Sequence, residues 1–126
     1  MSRTKTTSID ELTIEGVVYV PKSTIPQRAI GREGMPYVMV RTYSAGVHCG
    51  YLQRRDGKEA DLVDSIRIWR WTGAATLSQL ATEGSNDHSG CKFGVPIDVV
   101  LTEAIEIIDM TETAKQNIQS VASWKQ

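Results

Sequence analysis

Asp56-Gly57 stands between two runs rich in β-forming residues, and this tip constrains the fold more than any other stretch. Asp-Gly accepts the positive φ angles of a tight turn, so Val47–Gln53 before it and Lys58–Val63 after it are expected to pair antiparallel. Upstream, Tyr37-Val-Met-Val-Arg-Thr-Tyr43 reads as a strand. Val38, Val40 and Thr42 share one face, and Tyr37, Met39, Arg41 and Tyr43 share the other. Ser44-Ala-Gly46 turns this strand into the next, and Ser65-Ile-Arg-Ile-Trp-Arg-Trp71 reads as a fourth. Short connections between four consecutive strands predict a meander.

The remaining segments complete an α+β reading. Thr76-Leu-Ser-Gln79 has the spacing of a capping box and opens a helix with Leu77, Leu80 and Ala81 on its buried stripe, ended by Gly84. A polar loop follows from Gly84 to Lys92 and is the natural place for a lid or rim. Asp98 to Asp109, rich in Ile and Val, reads as one well-buried strand. Thr111 caps a second helix carrying Ala114, Ile118, Val121 and Ala122, with Trp124 near its end. Ahead of all this, Leu12–Val20 reads as a small hairpin around Glu15-Gly16, ended by Pro21, and Pro21 to Pro36 as a linker after a frayed start. The expected organisation is an N-terminal arm over 1–36 and an α+β core over 37–126, with an antiparallel sheet and two helices.

Charge and composition exclude several function classes. Fourteen Lys and Arg against fifteen Asp and Glu give a formal charge of -1, which disfavours nonspecific binding to nucleic acid. No apolar run approaches the ~20 residues of a membrane span. The N-terminus has no hydrophobic segment behind its charges, so Cys49 and Cys91 are expected to be reduced thiols of a cytoplasmic protein. Two histidines without metal-ligand spacing predict no metal site and no cofactor. Neither His48 beside Cys49 nor His88 beside Ser89 has the geometry of a catalytic dyad, because strand neighbours point apart and the Ser89 loop lacks a nucleophile elbow. The chain is therefore not expected to be an enzyme. A small phosphodiesterase using His48 and His88 is the least favoured reading.

Three Trp and four Tyr against a single Phe favour a protein that binds something. Arg67-Ile-Trp-Arg-Trp71 carries the strongest signal. In a strand, Arg67, Trp69 and Trp71 share a face on which an indole can stack a base while a guanidinium meets a phosphate. A structural reading, with both indoles in the core and the arginines reaching water, competes with it. Arg41 and Tyr43 repeat the alternation of cation and ring. Arg55, at the hairpin tip, would add a phosphate contact, and Asn86 and His88 would supply polar edge contacts. One stack and two phosphate contacts support only modest affinity, so a tight binder of this size needs a homo-oligomer.

From Tyr37 onward the chain resembles a family of short phage and prophage proteins of uncharacterised function. The resemblance rests on Tyr37-Val-Met-Val-Arg-Thr-Tyr-Ser-Ala-Gly-Val-His-Cys-Gly50, Arg55-Asp-Gly-Lys-Glu59, Arg67-Ile-Trp-Arg-Trp-Thr-Gly-Ala74, Leu77-Ser-Gln-Leu-Ala81, Leu101-Thr-Glu-Ala-Ile-Glu-Ile107 and Ser120-Val-Ala-Ser-Trp124. Small oligomeric phage proteins of this kind include the anti-defence sponges, among them the Thoeris and CBASS inhibitors, which sequester cyclic ADP-ribose or cyclic oligonucleotide signals without cleaving them. This implies a cytosolic phage-encoded protein that binds a cyclic nucleotide in the host during infection. One departure is that some such sponges use late arginines, whereas here no Arg follows Arg70. The alternative is a structural or protein-interaction module whose Trp–Arg face meets another protein.

Overall fold

The computed structural model describes residues 12–14, 17–19 and 27–126. The expected frayed start, the Glu15-Gly16 turn and the 21–26 part of the linker lie outside the described residues. Strands β1 (Leu12–Ile14) and β2 (Val17–Tyr19) pair antiparallel as the hairpin pattern predicts.

A six-stranded antiparallel sheet and two helices follow. The strands are β3 (Tyr37–Thr42), β4 (Val47–Asp56), β5 (Glu59–Arg70), β6 (Lys92–Phe93), β7 (Ile97–Leu101) and β8 (Ala104–Asp109). Their order is β6-β5-β4-β3-β8, with β7 pairing the first half of β5. The helices are α1 (Leu77–Glu83) and α2 (Glu112–Gln119).

Three local expectations are corrected. The segments read as third and fourth strands form one long strand, β5. Asp64, at φ 50°, takes up the irregularity between its halves, and the Asp98 carboxylate accepts its N–H at 3.0 Å. The run from Asp98 to Asp109 breaks at Thr102-Glu103 into two strands on different neighbours, since Ala104 N–H donates to Lys58 O at 2.9 Å. Helix α2 stops at Gln119, before Val121, Ala122 and Trp124. Ser120 N–H is shared between the Gln116 and Asn117 carbonyls, and its hydroxyl caps Asn117 O at 2.6 Å.

Both faces of β3 are buried, with the sequence alternation intact. Tyr37 and Met39 join Cys49, Tyr51, Ile66, Ile68 and Phe93 in the main core beneath Leu80, Ala81, Ala114 and Ile118 of the helices. Val38 and Val40 meet Leu62 and Leu101 in a second, smaller core. Close strand contact requires glycine at position 50, where a Cβ would lie 2.9 Å from Ser65 Cα.

The caps form as the sequence predicts. Thr76 Oγ1 accepts from Gln79 N at 3.1 Å, and the Gln79 side chain reaches back to Ala75 N at 2.8 Å. Thr111 Oγ1 accepts from Ala114 N at 3.0 Å. Residues 27–36 lie against the end of the sheet and α2. Ala29 is buried and its N–H donates to Met110 O at 2.8 Å, while Lys115 Nζ donates to Ile30 O at 3.0 Å.

Candidate functional site

Strand β5 presents Arg67 and Trp69 on the same side, as the two-residue period requires. Trp69 is 59% exposed, and the Arg67 guanidinium carbon lies 5.1 Å from its ring centroid. A second indole completes the surface. Trp124 N–H donates to Phe93 O at 2.8 Å, and Ser123 bridges Phe93 in parallel, so the C-terminal segment lies along β6. This seats Trp124, 44% exposed, edge-on to Trp69 with centroids 6.5 Å apart. Lys92 Nζ lies 4.9 Å from the Trp124 ring centroid.

The outcome is two exposed indoles flanked by two cations. Among the described residues, neither Arg67 nor Lys92 has a carboxylate partner within ion-pair distance. Both charges are free to meet an anion. Beside Trp69, the β3–β4 turn and β5 enclose a shallow hollow of about 270 Å³ lined by Ser44, Ala45, Gly46, Arg67, Ile68 and Trp69.

His48, across from Arg67 in the β4–β5 ladder, braces this hollow from within. It is 1% exposed, and its Nε2 must donate to Ala45 O at 2.9 Å, because a carbonyl only accepts. Burial holds its pKa below the ordinary histidine value; the bond to Ala45 opposes that shift and the Arg67 charge adds to it. The ring is a neutral strut under the turn.

The other residues singled out in the sequence go elsewhere. Trp71 follows the end of β5 and turns into the main core, its Nε1 donating to Ala74 O at 3.0 Å. The shared face expected for Trp69 and Trp71 does not persist, because the strand stops at Arg70. Arg41 pairs with Glu106 at 2.9 Å across the β3–β8 ladder. Tyr43 is 78% exposed in the turn after β3. Arg55 lines a different, smaller hollow with Ala104, Ile105, Glu106 and Ile107.

The Gly84–Lys92 loop is pinned rather than lid-like. Asn86 N–H donates to Gly73 O at 3.2 Å and His88 Nε2 contacts Asn117 Oδ1 at 3.1 Å. Ser85 Oγ donates to Thr72 O at 2.5 Å, and Asn117 also bonds the Ser85 backbone on both sides.

Sequence reasoning missed Lys92 and did not place Trp124 at the site. A signal existed: Trp124 stands among polar residues past the helical stripe, where no core accounts for it. Among the described residues, no group of three His, Cys, Asp or Glu side chains could hold a metal ion, and no helix is long and apolar enough to cross a membrane. Cys49 and Cys91 are both free.

With this geometry in hand, comparison with known families matches residues 35–118 to a domain of unknown function, DUF6948. The chain belongs to that family. The matched stretch contains Arg67, Trp69 and Lys92, whereas Trp124 lies beyond it. No curated protein and no solved structure matches the chain.

Proposed function

We propose that the protein is a non-catalytic binding protein that takes a planar, anionic ligand on the Trp69 surface, with a cyclic nucleotide signal as the ligand class. The observation that carries this reading is the pairing of exposed indoles with two cations that no carboxylate among the described residues neutralises. Trp69 offers a stacking face beside the hollow, Arg67 a phosphate contact, and Lys92 and Trp124 a second wall. In this reading it is a phage-encoded anti-defence sponge of the host cytoplasm, and retention of the ligand intact is its function.

Magnitudes set the expected affinity. A base stack contributes ~1–3 kcal/mol, and each hydrogen bond to a charged phosphate ~1.5–3 kcal/mol. One stack and two such bonds give a gross ~4–9 kcal/mol before the cost of association, which corresponds to micromolar binding at most. Tighter sequestration requires a homo-oligomer.

Native mass spectrometry with cyclic ADP-ribose isomers and cyclic di- and trinucleotides tests the reading. An intact ligand retained by the wild type is expected, with affinity reduced roughly 5- to 150-fold by Trp69→Ala, the range of one lost stack. Arg67→Ala is expected to weaken binding comparably. Retention unchanged in both variants would refute the site, and cleaved ligand would refute the non-catalytic role. A silent panel with a specific protein captured through Trp69 would favour the interface reading, since exposed Trp beside Arg is also the make-up of protein hot spots.

A further inference from the structure

Among the described residues, strand β8 is an edge of the sheet. Its one strand partner among the described residues is β3, and Ala104-Ile-Glu-Ile-Ile-Asp109 contains neither Pro nor Lys. Its ladder fixes which groups face outward. Thr42 N–H donates to Gly46 O, toward β4, so by antiparallel alternation Met39 and Arg41 direct their backbone groups toward β8. Their partners Ile108 and Glu106 answer them. Ile107 and Asp109 therefore turn N–H and C=O outward, and Ile105 sits at the register shift opposite Arg41 and Thr42.

Charge placement along this edge points to a second copy of the chain. Both β8 carboxylates are already neutralised within the subunit, Glu106 by Arg41 at 2.9 Å and Asp109 by Arg28 at 2.7 Å. Two such edges can approach without the repulsion their acids would otherwise create. Among the described residues Arg55 makes no ion pair, and it lines the hollow beside Ala104–Ile107. We infer that two copies pair antiparallel through β8 about a two-fold axis at Ile107. In that register Ile105 faces Asp109 of the second copy, which brings this acid alongside Arg55. The sheet then runs continuously through both subunits, and the interface is isologous. This inference takes up the homo-oligomer of the proposed function but is independent of its ligand.

Sedimentation velocity on the full chain tests it, with circular dichroism as a folding check. The wild type is expected to be a dimer. Ile105→Lys, at a side chain 49% exposed, is expected to give a folded monomer at the same concentration. Arg55→Glu keeps the test alive should that variant misfold, and is expected to weaken the dimer about 5- to 30-fold at low salt, the scale of the two symmetric exposed ion pairs it removes. Trp69→Ala should leave the dimer intact. A monomeric wild type would overturn the inference and the oligomer together. A dimer insensitive to Ile105→Lys and Arg55→Glu would overturn the β8 interface alone, leaving the ligand reading standing.

Discussion

Among the described residues, two places set two cations against aromatic rings, and they are built to opposite ends. In one, Arg32 lies 4.1 Å and Lys115 5.9 Å from the Tyr51 ring centroid. Each charge there is spent inside the fold. Arg32 pairs with Asp64 at 2.7 Å, and Lys115 holds Glu112 at 3.3 Å and the Ile30 carbonyl at 3.0 Å. In the other, Arg67 and Lys92 flank Trp69 and Trp124 with no acid among the described residues within ion-pair distance. The first set fastens residues 27–36 to the core. The second has nothing in the described fold to fasten, and that difference separates a structural cluster from a candidate site better than the presence of Arg beside an aromatic does. The neighbouring hollow of about 350 Å³, lined by Arg32, Asp64, Ile66, Pro96 and Gln119, belongs to the first set and its charge is internally balanced.

The comparison breaks most decisively at Tyr51. Tyr51 is buried and stacks edge-on with Tyr37 at 4.8 Å. Tyr51→Ala should cost about 3–5 kcal/mol of stability, the range for removing a large buried aromatic. Thermal melts should show it far below Trp69→Ala, whose exposed ring has little core to lose. Equal losses in the two variants would erase the distinction.

A sharper version removes a cation. Lys115 is buried, and Lys115→Met keeps the length of the stem while deleting the bond to Ile30 O. It should cost ~1.5–3 kcal/mol in denaturant unfolding, as for a hydrogen bond involving a charged group. The cost should fall on residues 27–36 first, read as faster amide exchange at Ala29. No such local change would mean that the cluster does not hold that segment.

The smallest effect lies beneath the second set. The folded pKa of His48 is depressed by burial, so the unfolded chain takes up a proton at a higher pH than the fold does. Stability contributed by neutral His48 is full above its unfolded pKa of roughly 6.5 and is lost as pH falls toward its folded value. The slope is at most ~1.4 kcal/mol per pH unit, that of a single proton. Urea titrations from pH 7.5 to 5.5 should show this decline in the wild type and a flatter profile in His48→Gln. An unchanged slope would remove His48 as its source.

Much of the fold was legible because it depends on short-range signals. The Asp56-Gly57 tip, the alternation of Tyr37–Thr42 and the caps at Thr76 and Thr111 all act within a few residues. What escaped depended on distant partners. Nothing local marks Asp64 as a kink inside one strand, since the residue that receives its N–H, Asp98, is 34 positions away. The break at Thr102-Glu103 is likewise set by which neighbours β7 and β8 find. The site divides in the same way. Arg67 and Trp69 come together by strand period alone, whereas Trp71 departs because the strand ends, and Lys92 and Trp124 arrive through tertiary pairing along β6.

The attachment of Trp124 has a kinetic consequence. Among the described residues its segment joins the fold near Phe93 through one backbone hydrogen bond and one bridge, far fewer than the ladder that holds Trp69 in β5, so local opening costs less there. If that wall opens more readily than the strand bearing Trp69, ligand residence time is governed by the Trp124 segment. Tethering that segment to β6 would then lengthen residence, while the stacking face on Trp69 stayed the same.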